Sequence, residues 1–403
     1  MQVISDLHIH SRFSRATSQD LTIQNLEKWA RIKGLSLLGT GDFSHPEWVK
    51  ELKVELSEDG SGILKTKKGF SFILSNEVSL IYTQGGRGRR VHLILLAPSF
   101  EILKQINEYL TNKGRLDYDG RPIFNIACPE FTENLMSISK DIEIIPAHAW
   151  TSWFGIFGSA TGFNSMEEAF MGQVKNIHAF ETGMSSDPLM NWRLSKLDNY
   201  TIVSFSDSHS YWPWRLGREA TVFDLSRLTY RNIIEALREK KIAFTIETPP
   251  AYGKYHFDGH RFCKFSCSPE ESRKRKNICP VCNRPLTIGV LHRVEELADR
   301  EEGFKPKEAR PFKTLLPLHE VISMVLQSTP TAKKVWQEYN NLIKAFENEF
   351  NVLLNAPLQE LTKVTSDKIA KAIIKNREGK IKVKPGFDGQ YGQAILEEQK
   401  TLV

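Results

Sequence analysis

The chain has 403 residues, enough for two or three domains rather than one ordinary core. A content of 40% hydrophobic and 25% charged residues excludes a disordered or fibrous chain and describes a soluble globular protein. No apolar run approaches the ~18 residues of a membrane span and no charged-then-apolar leader opens the chain, so a cytoplasmic location is expected.

In chain order, the first strand-like run, MQVISDLHIH, closes on Asp6, His8 and His10. Residues two apart on a strand share a face, so three groups able to bind metal or move protons lie together. Imidazole with carboxylate suits zinc, manganese or iron. Further strand-like runs follow: LSLLGTGDFS, FSFILSNEVSLI, VHLILLAP, IEIIPAHAW, IHAFET and YTIVSFSDSHS. Segments of helical period separate several of them, among them TIQNLEKWARIKG, FEILKQINEYLTNKG and TYRNIIEALREKK. Alternation of this kind predicts an α/β fold with a parallel sheet or barrel over residues 1–245. Residues 246–300 follow a turn-rich connection and hold four of the five cysteines. Residues 301–403 read as a helical, basic region, and no internal repeat is visible.

The strand ends of the first region carry the chemistry. His8 and His10 close the first strand, Asp42 and His45 follow the second, and Glu77 closes the third. His92 opens the next run; His148, Glu181, and then Asp207 with His209 close the later ones. Any one of these is as easily a structural residue. Their repetition at one end of successive strands is not, because active sites of such barrels gather at that face. Ten candidate ligands exceed the needs of one ion and suggest two or three. Clustered divalent ions suit phosphoester hydrolysis, since a bound ion lowers the pKa of water from about 15.7 towards ~7 and its neighbours neutralise phosphate. No side-chain nucleophile is evident.

The H-x-H opening, the D-x-H close and the Glu and His residues between them resemble the polymerase-and-histidinol-phosphatase (PHP) superfamily. That resemblance covers residues 1–245 and implies a distorted seven-stranded barrel with a trinuclear centre that hydrolyses phosphoesters. By it, His8, His10, Glu77 and Asp207 hold one ion, and Glu77 bridges to a second completed by His92 and His148. His209 helps hold a third with a residue of GDFSHP. The family's T-D-H reads here with Phe43 at the His position, so either Asp42 or His45 substitutes or the third site is weak. Asp6 is expected to orient a His rather than bind metal. Glu181 is a ligand or a ligand's neighbour. The centre then holds two or three ions of zinc, manganese or magnesium, with Asp207, Glu77 and His148 central to catalysis. Arg215 and Arg218, after SYWPW, either clamp the substrate phosphate or make surface ion pairs.

Cys263 and Cys267, then Cys279 and Cys282, form two close pairs around a short loop, the spacing of a tetrahedral structural zinc site with no open position. Arg273, Lys274, Arg275 and Lys276 make that loop basic, a plausible duplex or phosphate contact. Residues 361–386 carry eight basic and two acidic side chains, an excess equal to the net charge of +6 of the whole chain. Charge concentrated in this way suits nucleic acid. Trp150, Trp153 and Trp212 lie within five residues of a candidate ligand His, with Phe13 close by. Such aromatics suit a base taken out of its stack. HAWTSWFGIFGSATGF reads as a lid or pocket wall hinged at Gly155, Gly158 and Gly162.

The order of parts is specific. A PHP-like region, FDGHRFCKFSC followed by CPVCNRPLTIGVLHRVEELADR, and a basic helical end with KVKPGFDGQYG resemble the endonuclease Q family over the whole chain. The resemblance implies a nucleoid-associated DNA-repair enzyme, carried by Thermococcales and other archaea and by some bacteria. It nicks duplex DNA 5′ to hypoxanthine, uracil or xanthine, or at an abasic site. Two other readings stand beside it: a small-molecule phosphatase of the histidinol-phosphatase kind, and a DNA-binding scaffold with an inactive barrel. Gln399 and Leu402 have the Q-x-x-L spacing that opens a sliding-clamp docking peptide, but the aromatics that fill the clamp pocket are missing. Weak clamp binding or none is expected.

Overall fold

A computed structural model describes residues 1–395. The predicted helices of the first region form with the caps their sequences supply. Ile23–Lys33 begins where the Thr22 side chain accepts from Asn25 N and ends at Gly34. Ser99 and Thr229 cap Phe100–Thr111 and Tyr230–Arg238 in the same way.

The strands depart from an all-parallel order. Gln2–Asp6 lies parallel to Leu37–Gly39, which lies parallel to Ser71–Gln84. Ser71–Gln84 then folds back on Arg87–Ala97 as a long antiparallel hairpin. Its turn is Gly85–Gly86, both at positive φ, the two-residue turn that matches the twist of antiparallel strands. Glu143–Pro146 adds antiparallel to that hairpin. Ala179–Glu181 and Thr201–Val203 pair in parallel. On the far side of the first strand, Ala220–Asp224 and Ile242–Glu247 continue the sheet antiparallel. The fold is mixed α/β with a mixed sheet.

Beyond residue 245 the chain returns to this sheet, because Phe312–Thr314 pairs in parallel with Ile242–Glu247. Helices Leu318–Val325, Lys333–Phe346, Leu358–Val364 and Asp367–Arg377 follow, and their buried apolar side chains belong to the same hydrophobic cluster as one face of the sheet. A buried ion pair ties this helical unit to the first helix. Lys33 Nζ donates to Glu349 Oε1 at 2.7 Å and to the carbonyl of Pro213 at 2.8 Å. Gln399 and Leu402 lie outside the described residues. Among the described residues no helix is long and apolar enough to cross a membrane.

Candidate metal centre and nucleic-acid interface

The chain beyond the first strand stays extended because Ile9 bridges Ser208 in parallel. This puts His8 and His10 on one face beside Asp207. Glu77 and His92 come from the middle of the long hairpin rather than from strand ends. Together the donors make two groups, within each of which the ligand atoms lie no more than 4.8 Å apart: His8, His10, Glu77 and Asp207; and Glu77, His92 and His148. Glu77 belongs to both. Its Oε2 lies 3.3 Å from His10 Nε2 and 3.6 Å from His8 Nε2. Its Oε1 lies 2.7 Å from His92 Nδ1 and 3.1 Å from His148 Nε2. Asp207 Oδ1 lies 3.1 Å from His10 Nε2. His148 and Asp207 hold left-handed φ values of +31° and +47°. For residues with a Cβ this is strain of order 1–3 kcal/mol each, of the kind found where a site over-determines its backbone.

The other predicted ligands have different tasks. Asp42 Oδ1 accepts from His10 Nδ1 at 3.0 Å. Its Oδ2 accepts from Ser11 N at 2.6 Å, Ser11 Oγ at 2.7 Å and Ser14 Oγ at 2.9 Å. With its lone pairs so engaged, Asp42 orients His10 and joins neither donor group. His45 stacks on Phe13, ring centroids 4.3 Å apart, and joins neither group. Phe43 is buried. His209 sits at the edge, its Nδ1 3.7 Å from Asp207 Oδ1. Among the described residues no third donor group forms at this face. Glu181 joins neither donor group and borders both: it accepts from His8 Nδ1 at 2.9 Å and from His148 N at 2.6 Å. Asp6 accepts from the backbone of Ser206 and Gly217, at 3.0 and 2.9 Å, and so fixes the loop that carries Asp207 instead of orienting a His.

The electrostatics are those of clustered acid. Burial opposes it, yet Glu181, Glu77 and Asp207 raise the His8 imidazole well above its ordinary value. Burial also works against ionised Glu77, but His92, Arg121 and His8 hold its carboxyl well below the usual range. Burial drives His92 down to about 4, with the Glu77 carboxylate opposing. Arg121, absent from the sequence-based reading, donates from Nη1 to Glu77 Oε2 at 3.1 Å. No spacing rule pointed to it, since it comes from a loop without other donors to the centre.

Comparison with known proteins follows the same geometry. Residues 317–380 match the family model described as the MJ0043 C-terminal domain. The protein MJ0043 of Methanocaldococcus jannaschii is 32% identical over 296 residues, which are 72% of this chain and 36% of that protein. The chain therefore spans about a third of that relative's length. The crystal structure of the novel lesion-specific endonuclease PfuEndoQ from Pyrococcus furiosus superposes with a TM-score of 0.89 at 32% identity, over 99% of this chain and 96% of that one. The chain belongs to the endonuclease Q family. A second endonuclease Q structure, a complex with a 27-mer duplex substrate bearing an abasic lesion at the active site, matches with the same TM-score and identity over 99% of this chain and 97% of that one.

In this endonuclease Q-family chain the cysteine module differs from the expected set. His260, Cys263, Cys279 and Cys282 bring their donor atoms together, and Cys267 is outside the group. Cys267 pairs with Asp258 across a short hairpin, whereas His260 sits at the hairpin's end and its Nδ1 reaches to 3.3 Å from Cys282 Sγ. Desolvation opposes it, but the backbone N–H groups of Cys282 and Val281 and the His260 ring pull the Cys279 thiol down to about 6, towards the thiolate that metals bind. The basic loop is partly neutralised. Arg273 pairs with Glu295 at 2.5 Å, Lys274 with Glu270 at 2.6 Å and Arg275 with Glu271 at 2.8 Å, while Lys276 makes no ion pair among the described residues.

The aromatics also sort themselves. Trp150 is a core residue, fully buried with Nε1 donating to Asn191 Oδ1 at 2.7 Å, so it does not stack on a base. Trp212 packs with Trp29, Trp214 and Trp336 at the joint with the helical unit. Phe13 is half-buried on His45. Trp153 keeps 46% of its surface exposed, and its neighbour Phe154 lies 4.3 Å from the His92 ring. Of the two readings of HAWTSWFGIFGSATGF, lid or pocket wall, the packing favours a wall. Arg293 donates to the carbonyls of Phe157 and Phe163, both 3.2 Å, and a Cβ at Gly155, Gly158 or Gly162 would come within 2.7 Å of backbone atoms. Those glycines permit close packing rather than hinging. Arg218 is occupied by the carbonyl of Ser206, at 3.0 Å from Nη2, and Arg215 lies over the Tyr391 ring at 5.6 Å.

Proposed function

We propose that this chain is a metal-dependent DNA-repair endonuclease that hydrolyses the phosphodiester 5′ to an abasic site or a deaminated base such as hypoxanthine, uracil or xanthine. The observation that carries the proposal is a centre of two donor groups sharing Glu77, in a chain whose whole length superposes on an endonuclease Q held with an abasic duplex. Residues 1–245 are read as a distorted seven-stranded barrel of the PHP kind, 246–300 as a zinc module and 301–403 as a DNA-gripping helical region.

The donors suit metal. His8 Nε2 is buried without a hydrogen-bond partner and faces Glu77 and Asp207, while Nδ1 of the same ring is held by Glu181. In the neutral ring that metal binding requires, Nε2 would aim a lone pair at two carboxylates, which is unfavourable unless a cation lies between them. His8, His10, Glu77 and Asp207 would hold one divalent ion, and Glu77, His92 and His148 a second. His260, Cys263, Cys279 and Cys282 would hold a structural zinc. Bound divalent ions activate water and neutralise phosphate. The protein's part is orientation. Glu181 and Asp42 accept the Nδ1 protons of His8 and His10 and so turn each Nε2 towards Glu77 and Asp207, where a metal would bind. Asp6 fixes the Asp207 loop from behind.

For the duplex, Trp153 with Phe154 is the exposed aromatic surface beside the centre, and Lys276 and Arg215 are cations left for phosphate contact. A deaminated base pairs poorly and an abasic site not at all, so extrusion costs less there and already favours lesions. The test is incubation with duplexes carrying one uracil, one hypoxanthine or one abasic site, with and without divalent metal. A metal-dependent nick on the 5′ side of the lesion is expected. Hydrolysis of a sugar phosphate with no cut in any duplex would reject the reading.

A further inference from the structure

Arg121 enters the centre from a loop that brings no metal donor of its own. Its placement is nonetheless tightly built. Asp119, nearly fully buried, accepts through Oδ1 from Arg15 N at 3.3 Å and from Arg121 N at 3.2 Å. Gly120 N donates to the carbonyl of Phe13 at 3.1 Å. A Cβ on Gly120 would come within 2.2 Å of Asp42 Oδ2 and 2.4 Å of Ser14 Oγ, so only glycine allows the loop to press against the residues that orient His10. Pro122 is tied in turn through its carbonyl, which accepts from Ser79 N at 2.9 Å. Anchors on both sides of Arg121 thus deliver its guanidinium to Glu77 Oε2 at 3.1 Å. Among the described residues it is the one Lys or Arg side chain that ion-pairs with a carboxylate of the two donor groups. One of its five N–H donors goes to Glu77, and 28% of the side chain stays open to solvent. Donors therefore remain for a ligand.

We propose that Arg121 is a catalytic residue that binds a non-bridging oxygen of the scissile phosphate. The inference rests on the nuclease reading above. Hydrolysis adds water across one P–O bond: the water oxygen bonds to phosphorus keeping one hydrogen, and the other hydrogen ends on the leaving sugar oxygen. Negative charge on the non-bridging oxygens grows as the new bond forms. A planar guanidinium fixed beside the carboxylate common to both donor groups meets that charge without rearrangement, and it neither gives nor takes a proton. A loop built only to hold Glu77 would not need a solvent-facing fork, because His8, His10, His92 and His148 already surround that carboxylate.

The test uses Arg121→Met and Arg121→Lys in the full chain, with four measurements on each: bound metal by mass spectrometry, affinity for an abasic duplex in the absence of divalent ions, single-turnover cutting, and the rate effect of sulfur at each non-bridging position. Arg121→Met should cut about 10²–10³-fold more slowly, the loss typical of a removed transition-state donor. Metal content and duplex affinity should equal those of the wild type. Arg121→Lys should fall between the two. The penalty for sulfur at one of the two positions should shrink in Arg121→Met. Wild-type cutting by Arg121→Met, or a loss of bound metal that matches its loss of rate, would overturn the proposal and make Arg121 at most a support for Glu77. A wild-type protein that cuts no lesion duplex would overturn the nuclease reading and this proposal with it.

Discussion

Replacing Lys33 by methionine tests what holds the helical unit to the sheet. Lys33 and Glu349 are both buried, at 2.7 Å. Glu349 Oε1 also accepts from Leu318 N and its Oε2 from Tyr339 Oη, each at 3.0 Å. In Lys33→Met those two hydrogen bonds survive, but the carboxylate loses its counter-charge and the Pro213 carbonyl loses its donor. Removing one member of a buried pair costs about 3–5 kcal/mol, and an orphaned buried carbonyl costs about 1–3 kcal/mol. Glu349→Leu should cost a similar amount, because it strands the ammonium. The double variant Lys33→Met/Glu349→Leu strands neither charge, so it should cost less than the sum of the singles by about 2 kcal/mol or more. Urea unfolding followed by tryptophan fluorescence is the assay, because Trp212 and Trp214 from the sheet side meet Trp336 from the helical unit at this joint. A single variant within about 1 kcal/mol of wild type, or strict additivity in the double, would show that this pair does not hold the joint.

Three further outcomes are expected. Asp207→Ala should abolish nicking while binding of a lesion duplex survives in a gel-shift assay, whereas Asp42→Asn, which disturbs the hydrogen bonds that orient His10 and its loop, should lower the rate by about 10–100-fold. His260→Ala should release zinc from the cysteine module, read as metal stoichiometry, and Cys267→Ser should keep it; the reverse result would restore Cys267 as the ligand. His319 is buried between Tyr339 and Trp336 with neither ring nitrogen bonded, and burial, with Lys33 adding, lowers its pKa from 6.5 to about 3. The unfolded chain then binds a proton that the folded one refuses. Stability from neutral His319 is therefore full above pH 6.5 and is lost as pH falls towards 3, by at most about 5 kcal/mol at ~1.4 kcal/mol per unit. His319→Phe should flatten the dependence of urea midpoint on pH across that window, and an unchanged slope would count against the assignment.

Residue types and their periodicity are legible along the chain. Asp-x-His-x-His places two imidazoles on one face because side chains alternate along an extended chain, whatever lies opposite. The helices around Ile23–Lys33, Phe100–Thr111 and Tyr230–Arg238 carry their own caps and apolar stripes, so their existence was local information. Even the departure from a parallel sheet was written in Gly85–Gly86, a hairpin turn between two strand-like runs. The tertiary structure decided the division of labour among like groups. Asp42 and Asp207 are equally able to bind an ion, but Asp42 meets Ser11, Ser14 and the far nitrogen of His10, and its oxygens are used up. His260 and Cys267 compete for one place at the cysteine cluster, and the register of a three-residue hairpin gives it to His260. Trp150 and Trp153 are three residues apart, yet one is core and the other surface. Arg121 carries no local mark at all, because its contact with Glu77 spans 44 residues and depends on how a loop packs against Asp42. Spacing along the chain restricts which atoms share a face, and only convergence in three dimensions settles which of them are already satisfied and which are left to bind a ligand.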